Sequence, residues 1–152
     1  MNRFLMGLSL TATLAFAADS ARVWKSSDLK GYEKKLASKV DAQKIASEGF
    51  GKLGSNATAQ VSHREADGVA ELHETKDDFF VVESGEATLE TGGSVVDAKK
   101  TDQHEVRGPS IKGAEKHALA AGDIVYIPAG TPHRLLVSKG KQFTYFVIKV
   151  TK

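Results

Sequence analysis

The chain has 152 residues, a formal net charge of +2 and no cysteine. With 41% hydrophobic residues it can build one domain with an apolar core, and the missing cysteine excludes disulfides, thiolate nucleophiles and Cys-ligated metal sites. Its 21 basic and 19 acidic side chains are nearly balanced, which argues against a nucleic-acid partner.

The first 17 residues have the pattern of a secretory signal peptide. Arg3 precedes an apolar run from Phe4 to Phe16, and small residues flank Phe16 at the positions that a signal peptidase reads. The run is shorter than the ~20 residues needed to span a bilayer. We therefore expect cleavage after Ala17 and a periplasmic or secreted protein with no membrane attachment.

A helix is predicted next. Ser26 and Ser27 can cap a helix that runs roughly from Asp28 to Ser47. Its apolar residues recur at helical spacing: Leu29, Tyr32, Leu36 and Val40. Glycines between Gly49 and Gly54 end it. We expect residues 18–57 to form a helical arm whose apolar stripe packs on the rest of the chain or on a second copy in a homodimer.

Residues 58–152 are predicted to form an all-β domain. Ala59–Glu65 and Val69–His73 flank Asp67-Gly68, which predicts a β-hairpin. The polar segment Ala98–Pro109 is expected to be a long loop. Further strands are predicted at Phe79–Glu83, Ala87–Thr91, Glu115–Leu119, Asp123–Ile127, His133–Val137 and Phe143–Val150. Many short strands without alternating helices favour an antiparallel sandwich or barrel.

Imidazoles and carboxylates fall at inward-facing positions of these strands. Glu71 and His73 are two residues apart and point to the same face. Asp78 and His133 each begin another strand, and in a small barrel the inward faces converge. Such a mixed nitrogen and oxygen site suits Mn, Fe, Zn, Ni or Cu. Three or four protein ligands leave open positions for water or substrate.

Two spaced patterns resemble the signatures of the cupin superfamily. The second signature, G-x5-P-x-G-x2-H-x3-N, is matched at Gly122, Pro128, Gly130 and His133, with Val137 in place of the final Asn. The first, G-x5-H-x-H-x3,4-E-x6-G, keeps His73 and Gly85. At its other three positions the chain carries Glu65, Glu71 and Asp78. The chain is also similar to small exported bacterial single-domain cupins with Glu at the first His position.

The resemblance implies an antiparallel jelly-roll barrel that binds a divalent transition metal. It places Glu71, His73, Asp78 and His133 at the four ligand positions. Asp78 is one methylene shorter than the Glu of the signature, so it could bind through a water molecule. The additional carboxylates favour harder ions such as Mn²⁺ or Fe²⁺.

Five further residues are candidates for the cavity wall or for an additional ligand. A two-residue turn at Asp67-Gly68 would place Arg64 opposite Glu71, whereas a three-residue turn would place His63 there and let it enter the cavity. The other candidates are His117, Phe80 and Tyr126.

The leading functional prediction is an exported cupin that binds a metal and a small molecule in the barrel mouth. As an enzyme it would be a metal-dependent oxygenase, isomerase or lyase, and the fold does not choose among these. Two alternatives stay open: a non-catalytic binding or sensing module, and a metal-free structural barrel in which His73 and His133 are hydrogen-bonded core residues.

Overall fold

The structure, a computed structural model, describes residues 20–152. The predicted signal peptide lies outside the described residues. Within that range one helix and twelve strands follow in chain order: α1 Ser26–Ala37, β1 Ile45–Leu53, β2 Ala57–Arg64, β3 Ala70–His73, β4 Lys76–Thr91, β5 Ser94–Val95, β6 Lys99–Asp102, β7 Glu105–Gly108, β8 Ile111–Lys112, β9 Glu115–Ala120, β10 Ile124–Ile127, β11 His133–Leu136 and β12 Phe143–Thr151. No helix among residues 20–152 is long and apolar enough to cross a membrane.

Ten strands form one antiparallel sheet that curls into a half-barrel with two facing layers. The strand order is β1-β2-β12-β4-β11-β3-β7-β6, with β9 and β10 also paired to β4, and β5 and β8 form a small separate sheet. The 16-residue β4 belongs to both layers. Its first part pairs with β12 and β10, and its second part pairs with β11 and β9. The all-β antiparallel fold with an N-terminal helix is confirmed.

Strand alternation fills the inside of the half-barrel with apolar side chains. Along β4, Phe80 and Val82 point inward and are 3% and 2% exposed, whereas Phe79 and Val81 between them are exposed. Each large apolar side chain buried in this way stabilises the fold by about 1.5–3 kcal/mol. The cluster also contains Ala87, Leu89, Leu119, Ile127, Leu135, Val137, Phe143, Tyr145 and Val147.

The helix packs on the outer face of the layer formed by β1, β2 and β12. Leu29 and Leu36 of α1 are buried in a second cluster with Val61 of β2 and Phe146 of β12. The apolar stripe of the helix is therefore covered by the sheet of the same chain. A homodimer therefore stays a prediction, and the apolar stripe of the helix no longer supports it, because the stripe is already covered.

The helix is shorter than the sequence predicts, and the glycine-rich segment after it is a strand. α1 ends at Ala37, and the Asp41 carboxylate then accepts a hydrogen bond from the backbone N–H of Ile45, at 3.0 Å, in a turn that leads into β1. Gly49 and Gly51 lie inside β1, where the register with β2 shifts at a bulge. The sheet therefore begins within the segment expected to be a helical arm.

The hairpin predicted at Asp67-Gly68 does not form. β2 pairs with β1 and β12, whereas β3 pairs with β7 and β11 in the other layer. The Gly68 N–H donates to the carbonyl oxygen of Leu135 at 2.8 Å, and the Val137 N–H donates to the Asp67 carboxylate at 2.9 Å. These hydrogen bonds attach the turn to the β11 segment. The turn therefore connects the two layers of the sheet and does not join two adjacent strands.

The segment predicted as a long loop, Ala98–Pro109, contains the hairpin of β6 and β7. All four residues of β6 are exposed, so the strand has no apolar face and no alternating pattern in the sequence. β7 pairs with β3, and Arg107 lies opposite Glu71. The hairpin thus extends the layer that carries the predicted metal ligands.

Candidate metal centre

Two neighbouring strands bring Glu71, His73 and His133 together. Glu71 and His73 share one face of β3, and β11 pairs with β3 so that His133 lies opposite Glu71. One ligand atom from each of the three residues lies within 4.8 Å of the other two. Both histidines are buried and Glu71 is half-buried. Donor atoms at this spacing could hold one metal ion.

The turn at Pro128–Gly130 positions His133 beside His73. The N–H of Gly130 donates to the carbonyl oxygen of His73 at 2.7 Å, and the N–H of Ala129 donates to the carboxylate of Asp77 at 2.7 Å. Gly130 has a φ of +80°, in the left-handed region that favours glycine. Because the turn is held at both residues, the His73 and His133 ring centroids are 5.2 Å apart.

Both histidines present the same ring nitrogen to the cavity. Nδ1 of His73 contacts the carboxylate of Glu105, and Nδ1 of His133 lies 3.0 Å from the carbonyl oxygen of Thr131. We assign the proton of each neutral ring to Nδ1, which leaves the lone pair of each Nε2 facing the cavity. Metal-binding histidines commonly donate their other ring N–H to a carboxylate or a backbone carbonyl in this way. The donor set fits a transition metal.

Asp78 lies next to both histidines, and Lys149 lies between it and His73. The Oδ2 atom of Asp78 is 3.4 Å from Nε2 of His73 and 3.8 Å from Nε2 of His133. The ammonium of Lys149 is closer, at 2.6 Å from Asp78 Oδ2 and 2.8 Å from His73 Nε2. The other oxygen, Oδ1, is buried and has no hydrogen-bond partner among the described residues. Asp78 can therefore accept a further donor or a cation.

Burial and charge shift the ionisation of these residues. Burial lowers the pKa of His133, which keeps the ring in the neutral form that binds metals. Burial also acts to lower the pKa of His73, but hydrogen bonds to Asp78 and Glu105 outweigh it and hold that pKa above its ordinary value, with the charge of Lys149 opposing them. Burial acts to raise the pKa of Asp78, yet His73 and Lys149 together hold it below its ordinary value. Nε2 of His73 thus attracts a cation, which could be a proton, the ammonium of Lys149 or a metal.

Sequence reasoning missed Glu105 and Lys149. Glu105 lies in the segment interpreted as a loop, and nothing in its local pattern marks an inward-facing position. Lys149 could have been found, because it continues the inward alternation of Tyr145 and Val147 along a correctly predicted strand.

The cavity lined by all four predicted ligands has a volume of about 280 Å³ and contains two of the five further candidates. Arg64 and Phe80 line it, and Arg64 carries its guanidinium inward from the end of β2. Burial acts to lower the pKa of Arg64, but the Tyr145 hydroxyl and the Glu71 carboxylate hold it above its ordinary value, so the guanidinium stays charged.

The other three candidates lie outside this cavity. His63 is one residue from Arg64 in β2 and therefore points to the opposite face, where its Nδ1 lies 2.8 Å from the Thr144 hydroxyl. His117 and Tyr126 are exposed and line a separate groove at the other side of the half-barrel. Neither of the alternative registers opposite Glu71 occurs, since Arg64 and His63 pair with residues of β1 and β12.

Comparison with known proteins gives matches at the level of fold. No protein-family model and no curated protein sequence matches the chain. Among solved structures, a double-stranded β-helix protein from Klebsiella pneumoniae matches with a TM-score of 0.56 and 15% identity, over 87% of this chain and 91% of that one.

Two enzymes match over a smaller part of their length. The DMSP lyase DddQ from Ruegeria pomeroyi matches with a TM-score of 0.51 and 17% identity, over 72% of this chain and 48% of that one. A sugar phosphate isomerase of the cupin superfamily from Silicibacter pomeroyi matches with a TM-score of 0.50 and 19% identity, over 72% of this chain and 60% of that one. The chain thus spans about half the length of the lyase.

These matches and the curled antiparallel sheet define the fold of the protein. The chain has the double-stranded β-helix fold of the cupins. Its Glu71, His73 and His133 form a cluster that could bind a metal.

Proposed function

We propose that this chain binds a divalent transition metal at Glu71, His73 and His133 and a small molecule in the adjoining cavity. The observation that carries the proposal is the approach of three ligand atoms to within 4.8 Å of one another at the wall of that cavity. Mn, Fe, Zn, Ni and Cu are the candidate metals for mixed imidazole and carboxylate donors. Asp78 is the proposed fourth ligand. To bind the metal, its carboxylate would have to release the Lys149 ammonium.

The side chains around the cluster suit this role. Arg107 donates to Oε1 of Glu71 at 2.9 Å, which leaves Oε2 directed toward His73. The contact with Glu105 fixes the ring of His73. When bound, a metal at this place would polarise a substrate oxygen or activate O₂. We propose oxygenase, isomerase or lyase chemistry, and similarity of fold to a lyase and an isomerase is the support for the last two.

Metal analysis of the untagged protein tests the proposal. The protein is reconstituted separately with each of the five metals, dialysed, and measured by elemental analysis and calorimetry. We expect about one equivalent of the preferred metal in the wild type and loss of binding in His73→Ala and in His133→Ala. His117→Ala is the matched control, because His117 is exposed and lies outside the cavity. Less than about a tenth of an equivalent of every metal would refute the proposal.

The position of Lys149 favours a second candidate function, a metal-free binding module. Its ammonium pairs with the Asp78 carboxylate at 2.6 Å and donates a hydrogen bond to Nε2 of His73 at 2.8 Å. In that case the polar cavity would bind a small molecule without a metal, and His73 and His133 would be hydrogen-bonded wall residues.

Lys149→Met separates the two candidates. If the site binds a metal, removal of the competing ammonium should strengthen the metal affinity by about tenfold or more. If the site is metal-free, both the wild type and the variant bind no metal in calorimetry. Lys116→Met, which removes an equal charge from an exposed position, is the control and should leave the metal affinity unchanged.

We also propose export of the chain, which would place the site in the periplasm or outside the cell. The support is the charged start, apolar run and small-residue cleavage pattern of residues 1–17. Intact-mass analysis of the protein expressed in a bacterium should give a chain that begins at Ala18, recovered outside the cytoplasm. A full-length cytoplasmic chain would contradict this proposal.

A further inference from the structure

The cavity beside the candidate metal centre has an excess of positive charge. Five cationic side chains and three carboxylates line it, which leaves two surplus positive charges when the histidines are neutral. Three of the cations are neutralised in pairs: Lys149 with Asp78, Lys76 with Glu105, and Arg107 with Glu71. A metal ion would add to the surplus. Such a cavity attracts an anion and disfavours a cationic ligand.

Arg64 is the unpaired cation among these residues. Arg134 has Glu90 at 4.0 Å, whereas no carboxylate oxygen of residues 20–152 lies within 4.0 Å of the Arg64 guanidinium. Its Nε donates to the hydroxyl of Tyr145 at 3.1 Å, and in the described part of the chain its two terminal amino groups have no hydrogen-bond partner. Tyr145 therefore orients the guanidinium while leaving its forked end free.

The local backbone makes room for this arrangement. A Cβ added to Gly68 would lie 2.9 Å from a terminal nitrogen of Arg64 and 3.3 Å from the carbonyl oxygen of Leu135. Glycine at this position thus lets the guanidinium lie against the backbone at the cavity wall. A planar fork of two N–H donors is the arrangement that recognises a carboxylate through two parallel hydrogen bonds.

We infer that Arg64 is an anchor for the carboxylate group of a small organic acid bound in this cavity. The inference rests on the proposed small-molecule binding and names the chemical class of the ligand. The carboxylate lies on the forked end of Arg64, and the remainder of the molecule extends toward the candidate metal centre. Charge neutralisation of Arg64 supplies the selectivity for an acid over its amide.

Lactate and lactamide are suitable probes, because they differ only in the replacement of a carboxylate by a neutral amide. Each is titrated into the isotope-labelled wild-type protein, with and without metal, and binding is followed by NMR at the Nε–H of Arg64 and at the amides of the cavity strands. We expect lactate to bind at least ~10-fold more tightly than lactamide and to shift the Arg64 resonance, since charge-assisted bidentate pairs are strong. Equal binding of the two probes would overturn the inference.

Two variants assign the effect to Arg64. Arg64→Met should weaken lactate binding by ~10-fold or more and abolish the preference over lactamide, and Arg64→Lys should restore only part of the affinity because it lacks the fork. Lys116→Met removes an equal charge from an exposed position outside the cavity and should leave lactate binding nearly unchanged. Equal lactate binding in Arg64→Met and in the wild type would refute the role of Arg64.

Metal affinity measured in the same samples separates this inference from the proposed function. If the protein binds no metal but prefers lactate through Arg64, the role of Arg64 is supported and the proposed metal binding is refuted. If the protein binds metal but does not prefer lactate to lactamide, only the role of Arg64 is refuted. The wild-type comparison of the two probes keeps the inference falsifiable if Arg64→Met does not fold.

Discussion

At the scale of single residues, the environment of His73 decides what the site can bind. Glu105 contacts one ring nitrogen and the Lys149 ammonium lies 2.8 Å from the other. A metal and an ammonium cannot use the same lone pair at once. Metal binding therefore requires the Lys149 side chain, which is 24% exposed, to move away from His73.

Glu105→Gln should weaken metal binding without removing it. The amide keeps the shape of Glu105 but loses the charge that makes the His73 ring more basic, and loss of such a partner typically costs ~10–100-fold in metal affinity. Calorimetric titration of the variant measures this. Glu115→Gln, a change at a side chain that is 79% exposed, should bind metal as the wild type does. Equal affinities in both variants would show that Glu105 does not support the ligand.

The candidate ligands could be predicted from the sequence more fully than their surroundings. Residues two apart in a strand share a face whatever the pairing, so Glu71 and His73 were predictable as a pair. The inward direction of Lys149 follows from alternation along its strand, but its contact with Asp78 and His73 depends on which strands lie opposite each other. Glu105 depends on a hairpin with no apolar face, which no local spacing in the sequence indicates.

At the scale of elements, turns determine where the site strands meet. Asp77, at the start of β4, accepts hydrogen bonds from the N–H of Ala129 at 2.7 Å and from the hydroxyl of Tyr126 at 3.2 Å, and it pairs with Lys152 at 3.0 Å. The carboxylate thus joins the Pro128–Gly130 turn to the strand that carries Asp78.

Asp77→Asn should lower the melting temperature at pH 7 and have a smaller effect in acid. The hydrogen bond from Ala129 and the contact with Lys152 hold the pKa of Asp77 below its ordinary value. Its stabilising contribution is therefore present above the unfolded-state pKa and is lost as the pH falls through the lower folded-state pKa. Thermal melts of both proteins between pH 7 and pH 3 measure the difference. A difference in melting temperature that stays constant across this pH range would contradict the role of the Asp77 charge.

Gly85 should be far less tolerant of alanine than Gly140. Both have a φ of +78°, so both variants incur the left-handed backbone cost of roughly 1–3 kcal/mol. Only at Gly85 would the new Cβ approach another backbone atom, the carbonyl oxygen of Gln142, at 1.9 Å. Denaturant unfolding of Gly85→Ala and Gly140→Ala isolates the effect of this close approach, and equal losses of unfolding free energy would contradict it.

The strands predicted from residue 115 onward agree with the structure, whereas the two predicted at Phe79–Glu83 and Ala87–Thr91 are parts of the single strand β4. The failures have identifiable causes. Asp67-Gly68 has the composition of a hairpin turn, but hydrogen bonds from Val137 and to Leu135 attach it to the opposite layer. A turn pattern in a sequence shows that the chain reverses and does not show which strand it meets afterwards. Gly49 and Gly51 were interpreted as breakers because a bulge inside a strand has the same composition as a loop.

At the scale of the whole molecule, the helix and the half-barrel share one folded unit. Leu36 of α1 is 1% exposed and packs with Val61 and Phe146 on the outer face of the layer whose inner face lines the cavity. The helix thus supports the strands β2 and β12, which carry Arg64 and Lys149 inward.

Leu36→Ala should destabilise the entire domain. Truncation of a fully buried Leu typically costs about 2–5 kcal/mol in unfolding free energy. We expect a single cooperative transition at lower denaturant concentration, followed in parallel by circular dichroism and by Trp24 fluorescence. Metal affinity of the folded variant should be unchanged, because Leu36 does not contact the site. Two separate transitions would mean that the helix folds independently of the sheet.

We propose that Glu71, His73 and His133 bind a metal ion in the half-barrel, and an anomalous-difference map of metal-loaded crystals would show directly whether they do. We expect one strong peak at about 2.0–2.2 Å from Nε2 of His73 and of His133 and from a Glu71 oxygen, with the Lys149 ammonium displaced. Crystals soaked in the best-binding metal that show no peak there, and Lys149 still bonded to His73 and Asp78, would contradict it.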